Sequence, residues 1–345
     1  REALMSDDHT ESPDPRQILG QILSGKQLSY SLSAVAQLGV ADHMNATSMP
    51  VEEVAAMVGA HAPSLYRVMR LLAGMGVFKE EQRGKFSLTP AGELLRSETP
   101  SSMRYTAMMF GDRWTTRAYE HFADSLRTGV DGVTQAYGQH VFDVLAEHPE
   151  ELKTFQSAMT SSSTLAGNAV VSAYDFSGIE RIADVGGGHG ALLASILRHY
   201  PNMHGVLFDR AEIVGAVTSE QFSGCEDRIS FESGSFFERV PEGCDAYIMK
   251  HIIHDWSDEH CRTILSLMRE NLVSNGRLLL CEMVVTDEPE PSSAKILDIE
   301  MLLVTVGGKE RTKDEFAELL ASCGFRLSRI VQTERPICVI EALPV

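Results

Sequence analysis

Cations are scarce in this chain. Its 345 residues carry 30 Lys and Arg against 48 Asp and Glu, a formal net charge of −18. A nucleic acid or an anionic membrane needs a positive footprint, so neither is expected as a partner. Cysteine is sparse and late: Cys225, Cys244, Cys261, Cys281, Cys323 and Cys338 all fall in the C-terminal portion. None forms a Cys-x-x-Cys pair or sits in a zinc-ligand spacing, which points to reduced thiols, mostly in the core. No apolar run is long enough to span a bilayer and no stretch reads as a signal peptide, so a cytoplasmic protein is expected. Internal repeats and low-complexity tracts are absent as well. What remains is an ordinary globular composition, 43% hydrophobic, at a length that suggests about two domains.

Glycine, by contrast, is concentrated in Asp184-Val185-Gly186-Gly187-Gly188-His189-Gly190. Arg181 to Val185 reads as a buried strand, and Leu192, Leu193, Ile196, Leu197 and Tyr200 follow at helical spacing. Strand, glycine turn and helix start together make a crevice that backbone can line closely. Gly186, Gly188 and Ala191 satisfy the relaxed dinucleotide fingerprint, which allows NAD. The same stretch reads Asp-x-Gly-x-Gly-x-Gly, an arrangement suited to S-adenosylmethionine (SAM), whose amino-acid end replaces a pyrophosphate. Asp209 ends the next strand-like run, 19 residues after Gly190, where a carboxylate can hold both ribose hydroxyls of either ligand.

Residues 1–15 are polar and proline-bearing and are expected to be disordered. A helical, winged-helix-like domain is expected over 16–165 and an α/β domain over 166–345. Gln17 to Met44 is helix-like; Val51 to Val58 closes at Gly59; Leu65, Val68, Met69, Leu72 and Met75 share one face of the next helix. Val77 to Leu88, turning at Gln82-Arg83-Gly84, looks like a small hairpin. Helix, turn, helix, hairpin is a winged-helix pattern, yet the second helix offers only Arg67 and Arg70 to a duplex. A scaffold or dimerisation unit fits better than a DNA reader. Ser101 to Thr164 is helical and rich in large soft side chains, among them Met108, Trp114, Phe155 and Met159, which suit a flat apolar ligand.

Beyond the glycine turn, strand-like and helical segments alternate, the signature of a doubly wound, Rossmann-like sheet. Strands are expected at 228–231, 246–249, 277–283, 326–331 and 337–342, and helices at 258–272 and 313–323, with Gly276 and Gly324 as stops. Ligands in such sheets sit beyond the carboxyl ends of the strands. Lys250-His251-Ile252-Ile253-His254-Asp255-Trp256-Ser257-Asp258 follows the fourth strand, and Glu282 closes the fifth. Gly307 to Thr312, containing Glu310, comes later. A histidine with two glutamates could form a base with carboxylate orienters. Each residue taken singly also has an ordinary structural explanation.

At these residues the chain resembles the SAM-dependent small-molecule O-methyltransferases that include the plant caffeic acid and flavonoid enzymes. It is similar above all to bacterial members of antibiotic biosynthesis, such as the mitomycin and anthracycline tailoring enzymes. The resemblance implies a winged-helix-like dimerisation domain, a homodimer, and a small aromatic acceptor. Gly186 and Gly188 would line the methionine end of SAM, with Ser163 near its carboxylate and Asp184 just before the turn. Asp209 would take the ribose hydroxyls. Gly234, Ser235 and Phe236 align with the family's Gly-Asp-Met-Phe segment, Phe236 against adenine and Ser235 in place of the usual aspartate. Lys250 matches the family lysine near the cofactor. His254 matches the general base, Glu282 and Glu310 its flanking glutamates, and Met159 and Met301 the acceptor pocket, with Asp255 beside them. S-adenosylhomocysteine would be the product.

A phenol has a pKa of about 10 and an imidazole about 6.5, so proton transfer between them is uphill in water. A nearby sulfonium favours phenolate, and two carboxylates favour imidazolium. No metal is expected, because the acidic cluster with asparagine that holds magnesium in animal catechol O-methyltransferases is missing. Two rivals remain: a relative that keeps fold and cofactor but hydroxylates or decarboxylates, and a winged-helix regulator sensing a small molecule.

Overall fold

A computed structural model describes residues 14–44, 47–99 and 101–345. Two compact units meet between Gly111 and Asp112, well before the boundary expected at residue 165. The reason lies in Pro149–Ala173, whose Ala166, Val170 and Val171 pack into the core of the sheet-bearing unit.

The first unit opens with helix Pro15–Gln37, capped by Asp14, whose side chain accepts from Arg16 N. Of the segment expected to be disordered, residues 1–13 therefore lie outside the described residues, while Asp14 and Pro15 begin a helix. Gly39 (φ 66) ends the helical run before Met44 and leaves a 3-10 turn at Val40–His43. Helices Val51–Val58 and Ala62–Gly74 follow. Strands β1 (Met49–Pro50), β2 (Phe78–Gln82) and β3 (Lys85–Leu88) pair in the order β1-β3-β2. This is the wing. Val54, Met69, Phe78 and Phe86 fill its core, and Met108, on helix Arg104–Met109, packs against them.

The second unit is built on β4 (Arg181–Val185), β5 (His204–Asp209), β6 (Ile229–Ser233), β7 (Cys244–Lys250), β8 (Leu272–Val285), β9 (Arg311–Thr312), β10 (Phe325–Gln332) and β11 (Ile337–Pro344). The order is β10-β11-β8-β7-β4-β5-β6, with β9 beside β8. Pairing is parallel from β6 through β8 and antiparallel around β11, so the sheet is mixed. Alternation along each strand feeds two cores, as a pleated strand must. Ala183, Val185, Tyr247 and Met249 face helices Asp258–Asn271 and Lys313–Ser322. Ile182, Ala246 and Ile248 face Pro149–Ala173 and Ala191–His199. Burial on both sides explains the continuous apolar runs that mark these strands in the sequence.

Gly276 does not stop a helix: helix Asp258–Asn271 passes straight into β8, which runs through it. A Cβ at Gly276 would meet the Asp245 carbonyl oxygen at 2.9 Å, so the glycine permits a close backbone crossing. Chain direction across the sheet reverses at β4, with β5 on one side and β7 on the other, which opens a crevice at their carboxyl ends. No helix among the described residues is long and apolar enough to cross a membrane.

Asp112 begins this unit in a half-buried setting where one carboxylate oxygen has no partner. Burial, with Glu151 nearby, raises its pKa from 3.8 to about 7. The folded state thus carries a penalty that is absent below about pH 4, grows as the pH rises, and is complete above pH 7. Asp112→Asn is expected to raise Tm by a few degrees at pH 8 and to leave it unchanged at pH 4, read by thermal melts across that range.

Candidate active site

The glycine turn is held open by its backbone. Gly186, Gly188 and Gly190 all have positive φ, at 73, 58 and 79. Gly186 N donates to Phe208 O at 2.8 Å, and Gly188 N donates to Asp209 Oδ2 at 2.8 Å. Gly188 faces open space, with no heavy atom within 4 Å of where a Cβ would stand. That is the room a ligand needs beside a bare backbone. Asp184, next to last in β4, is buried with Oδ2 unpartnered. Burial raises its pKa to about 7 although Lys250, at the end of β7, opposes this. Asp209 is likewise pushed up by burial, against the backbone bonds from Arg210 and Gly188.

Two further walls close the crevice. Gly234 N donates to the Asp209 carbonyl at 3.1 Å, and Phe236 stands 3.5 Å from the Cβ position of Gly186. Ser235 Oγ accepts from Phe237 N at 3.3 Å, so its hydroxyl caps a local turn. On the other side Thr160, one turn before half-buried Ser163, meets His189 Nδ1 at 3.2 Å. The Thr160–His189 contact has no motif to announce it in the sequence.

Past β7 the chain makes a short 3-10 turn, Ile253–Asp255, with His254 buried. His254 Nδ1 lies 2.6 Å from Glu310 Oε1 and 3.8 Å from Glu282 Oε2, while Nε2 is 3.5 Å from Asp255 Oδ1. A carboxylate can only accept, so Nδ1 carries the hydrogen and the lone pair of a neutral ring sits on Nε2. Burial disfavours charge on the ring, but Glu282, Asp255 and Glu310 outweigh it and push its pKa up to about 9. Burial also raises Asp255, to about 6, against the pull of His254. Glu282 does more than flank the ring. Its Oε1 accepts from Ile252 N at 3.1 Å and Ile253 N at 2.9 Å and so shapes the turn.

Arg311 completes the arrangement, and sequence reasoning passed over it. Only 1% exposed, it donates to Asp258 Oδ1 at 2.7 and 3.1 Å, to Ile253 O at 2.9 Å and to Trp256 O at 3.1 Å. Its neighbour Glu310 is fixed by Asp298 Oδ1, which accepts from Glu310 N at 2.9 Å.

A chain of rings connects the expected acceptor residues to the crevice. Trp114 meets Phe155 edge-on at 6.3 Å, Phe155 meets Phe142 at 6.2 Å, and Phe142 meets His140 at 5.3 Å. His140 stacks on Trp256 at 5.3 Å, and Trp256 touches Phe236 and Phe237. Trp114 Nε1 and His140 Nε2 are buried without partners. Met301 is buried on helix Ser293–Val304, beside Glu300, which accepts from Tyr119 Oη at 2.6 Å. Met159 is half-buried on the long helix. Met108 belongs to the first unit, where its contacts are with that unit's core.

The chain matches the O-methyltransferase domain over residues 119–326 and the O-methyltransferase dimerisation domain over 21–98. It belongs to the O-methyltransferase family. SAM is the methyl donor of this family, and the open cradle at Gly188 with the Asp209 carboxylate fits such a ligand. The O-methyltransferase is 39% identical to a phenazine O-methyltransferase from Lysobacter antibioticus over 329 residues, 95% of this chain and 96% of that one. The solved structure of LaPhzM superposes with a TM-score of 0.90 at 38% identity, covering 96% of this chain and all of that one. CalO1, a methyltransferase of calicheamicin biosynthesis solved with S-adenosylhomocysteine, gives 0.85 at 31% identity, over 97% of this chain and 100% of that one.

Arg311→Lys removes the planar fork that reaches a carboxylate and two carbonyls at once. It is expected to cost about 2 kcal/mol, moderated because Asp258 is 40% exposed, and chemical denaturation should show it as a lowered midpoint at unchanged slope.

Proposed function

We propose that this O-methyltransferase methylates a phenolic hydroxyl of a small aromatic natural product, with His254 as general base and without a metal. The observation that carries the reading is the 2.6 Å contact between His254 Nδ1 and Glu310, which leaves Nε2 to take a proton. Bound SAM supplies an electrophilic methyl group on a positively charged sulfur. The ring of His254, pushed up to about 9, comes within roughly one unit of a phenol's ordinary 10, against more than three units in water. Glu282 and Glu310 thereby make the transfer itself nearly level for the neutral ring, whose share grows as the pH rises toward 9. Asp255, beside Nε2, is placed to orient the incoming hydroxyl, and the ring series from Trp114 to Trp256 offers flat surfaces to an aromatic acceptor.

Asp209 takes the ribose in this reading, with Gly186 and Gly188 at the methionine end, Ser163 near its carboxylate, and Phe236 against adenine. Alignment of oxygen, methyl and sulfur then accounts for the larger share of the rate, for which positioning contributes roughly 7–11 kcal/mol. Replacing His254 with alanine should reduce methyl transfer to a phenolic acceptor at least a thousandfold while SAM binding, followed by calorimetry, stays within a few-fold. Full activity in that variant would remove His254 from the role. Asp209→Ala should show the opposite pattern, with SAM affinity lowered tenfold or more.

The chain works as a homodimer in this proposal, inside the cytoplasm, where its six free, buried cysteines stay reduced. Ile18, Leu19, Ile22 and Leu23 leave one face of helix Pro15–Gln37 exposed and apolar, within or just before the matched dimerisation domain. Substituting aspartate at Ile22 and Leu23 should halve the mass seen by light scattering; an unchanged mass would move the dimer contact elsewhere.

A further inference from the structure

Glu282 and His251 face each other across a gap that methyl transfer leaves unused. Glu282 is wholly buried, and its Oε2 has no hydrogen-bond partner. His251 Nδ1 is also buried and unpartnered, 3.6 Å from that oxygen, beyond hydrogen-bond length. His254 Nδ1 lies 3.8 Å from the same oxygen. The two rings stack with centroids 4.9 Å apart and planes at 26°. His251 is the single non-glycine residue at positive φ among the described residues (φ 53), a conformation that the surroundings must impose. An unpaired buried carboxylate oxygen converging with two imidazole nitrogens is a donor set waiting for a cation.

We propose that His251, His254 and Glu282 bind one divalent transition-metal ion of the Zn2+ class, and that the bound ion blocks the enzyme. Metal–ligand distances of about 2.0–2.2 Å in a tetrahedral shell set neighbouring donor atoms about 3.3–3.5 Å apart. The gaps of 3.6 and 3.8 Å to Glu282 need a contraction of only a few tenths of an ångström, and all three donor atoms lie within 4.8 Å of one another, so closing the shell turns the two stacked rings toward each other. Two imidazoles and a carboxylate favour zinc, cobalt, nickel or copper over magnesium and calcium. The ion takes the place of the Nδ1 hydrogen of His254, which leaves as a solvent proton, and the bond to Glu310 breaks. A fourth position falls to water or to Glu310 itself. The side chains of His251 and Asp255 each retain 16% exposure. Blocking follows because an ion on Nδ1 removes the tautomer that presents Nε2 as a base. That part rests on the proposed role of His254; the binding itself does not.

The test is calorimetric titration of the full chain with zinc chloride, paired with absorption spectra on adding Co2+, which report a tetrahedral site directly. His251→Asn keeps a residue tolerant of positive φ while removing the imidazole. Wild type is expected to bind one zinc per chain, with affinity falling at least tenfold in His251→Asn and in Glu282→Gln. Methyl transfer should be inhibited by zinc, restored by EDTA, and desensitised in step by His251→Asn. Equal zinc affinity in wild type and His251→Asn would overturn the site, as would magnesium binding with the same affinity. Zinc binding that depends on His251 but leaves methyl transfer running would overturn the blocking, and with it the role of His254, while the site stands.

Discussion

Arg311 ties together the parts of the chain on which the chemistry depends. Its guanidinium bonds two carbonyls that flank His254, those of Ile253 and Trp256, and the carboxylate of Asp258 at the start of the following helix. The residue before it is Glu310, whose carboxylate meets the imidazole. One buried cation therefore sets the distance between a turn after β7 and a segment about fifty residues later. Gly308 shows how close the two must come: a Cβ there would stand 2.3 Å from the His254 carbonyl oxygen. A lysine has neither the planar fork nor the reach to hold three partners at once.

Around His254 the chain gathers more negative charge than one ring can neutralise. Glu282, Glu310 and Asp255 all act on it, and burial makes each carboxylate costly. Burial pushes Glu310 above its ordinary value, whereas His254 and His251 hold Glu282 below its own. The excess acidity is what raises the imidazole toward a phenol. It also leaves oxygens without partners, on Glu282 and Glu310. In a dry site such unpartnered oxygens favour positive charge, so one arrangement suits both the proposed proton uptake and the proposed cation capture.

Much of this was legible in the residues themselves. The strands of the second unit announce themselves as apolar runs because both faces are buried, and the glycine turn because only glycine accepts three positive φ values in five residues. His254 follows the carboxyl end of β7 and Glu282 lies near that of β8, where ligands gather, while Glu310 leads into β9. Less was legible where contacts are long-range. Nothing local distinguishes Arg311 from a surface arginine, since its partners lie some fifty residues away. The first unit ends earlier than the expected boundary because the helices from Arg113 on read as a continuation of the helical half, while the end of helix Pro149–Ala173 packs on the sheet. Gly276 misled for the opposite reason: a helix stop and a strand that crosses another backbone closely both call for glycine. His251 reads in sequence as a neighbour of the base, and its strained backbone appears only in three dimensions.

The glycine-lined crevice and the proposed base are also one mechanical piece. Gly186 must be glycine for its φ of 73, and equally because a Cβ there would lie 2.7 Å from Ile252 Cδ1. Ile252 sits between the two histidines, and its amide is one of the two that Glu282 holds. A side chain at Gly186 would push Ile252 outward, and the turn carrying His254 would have to follow or lose the Glu282 bonds. In the proposed reaction the methyl donor and the proton acceptor must align within a fraction of an ångström, and the residues assigned to them share a wall. Placing both at the carboxyl ends of adjacent strands, β4 and β7, lets a rigid sheet set that alignment, so that loops need only complete it.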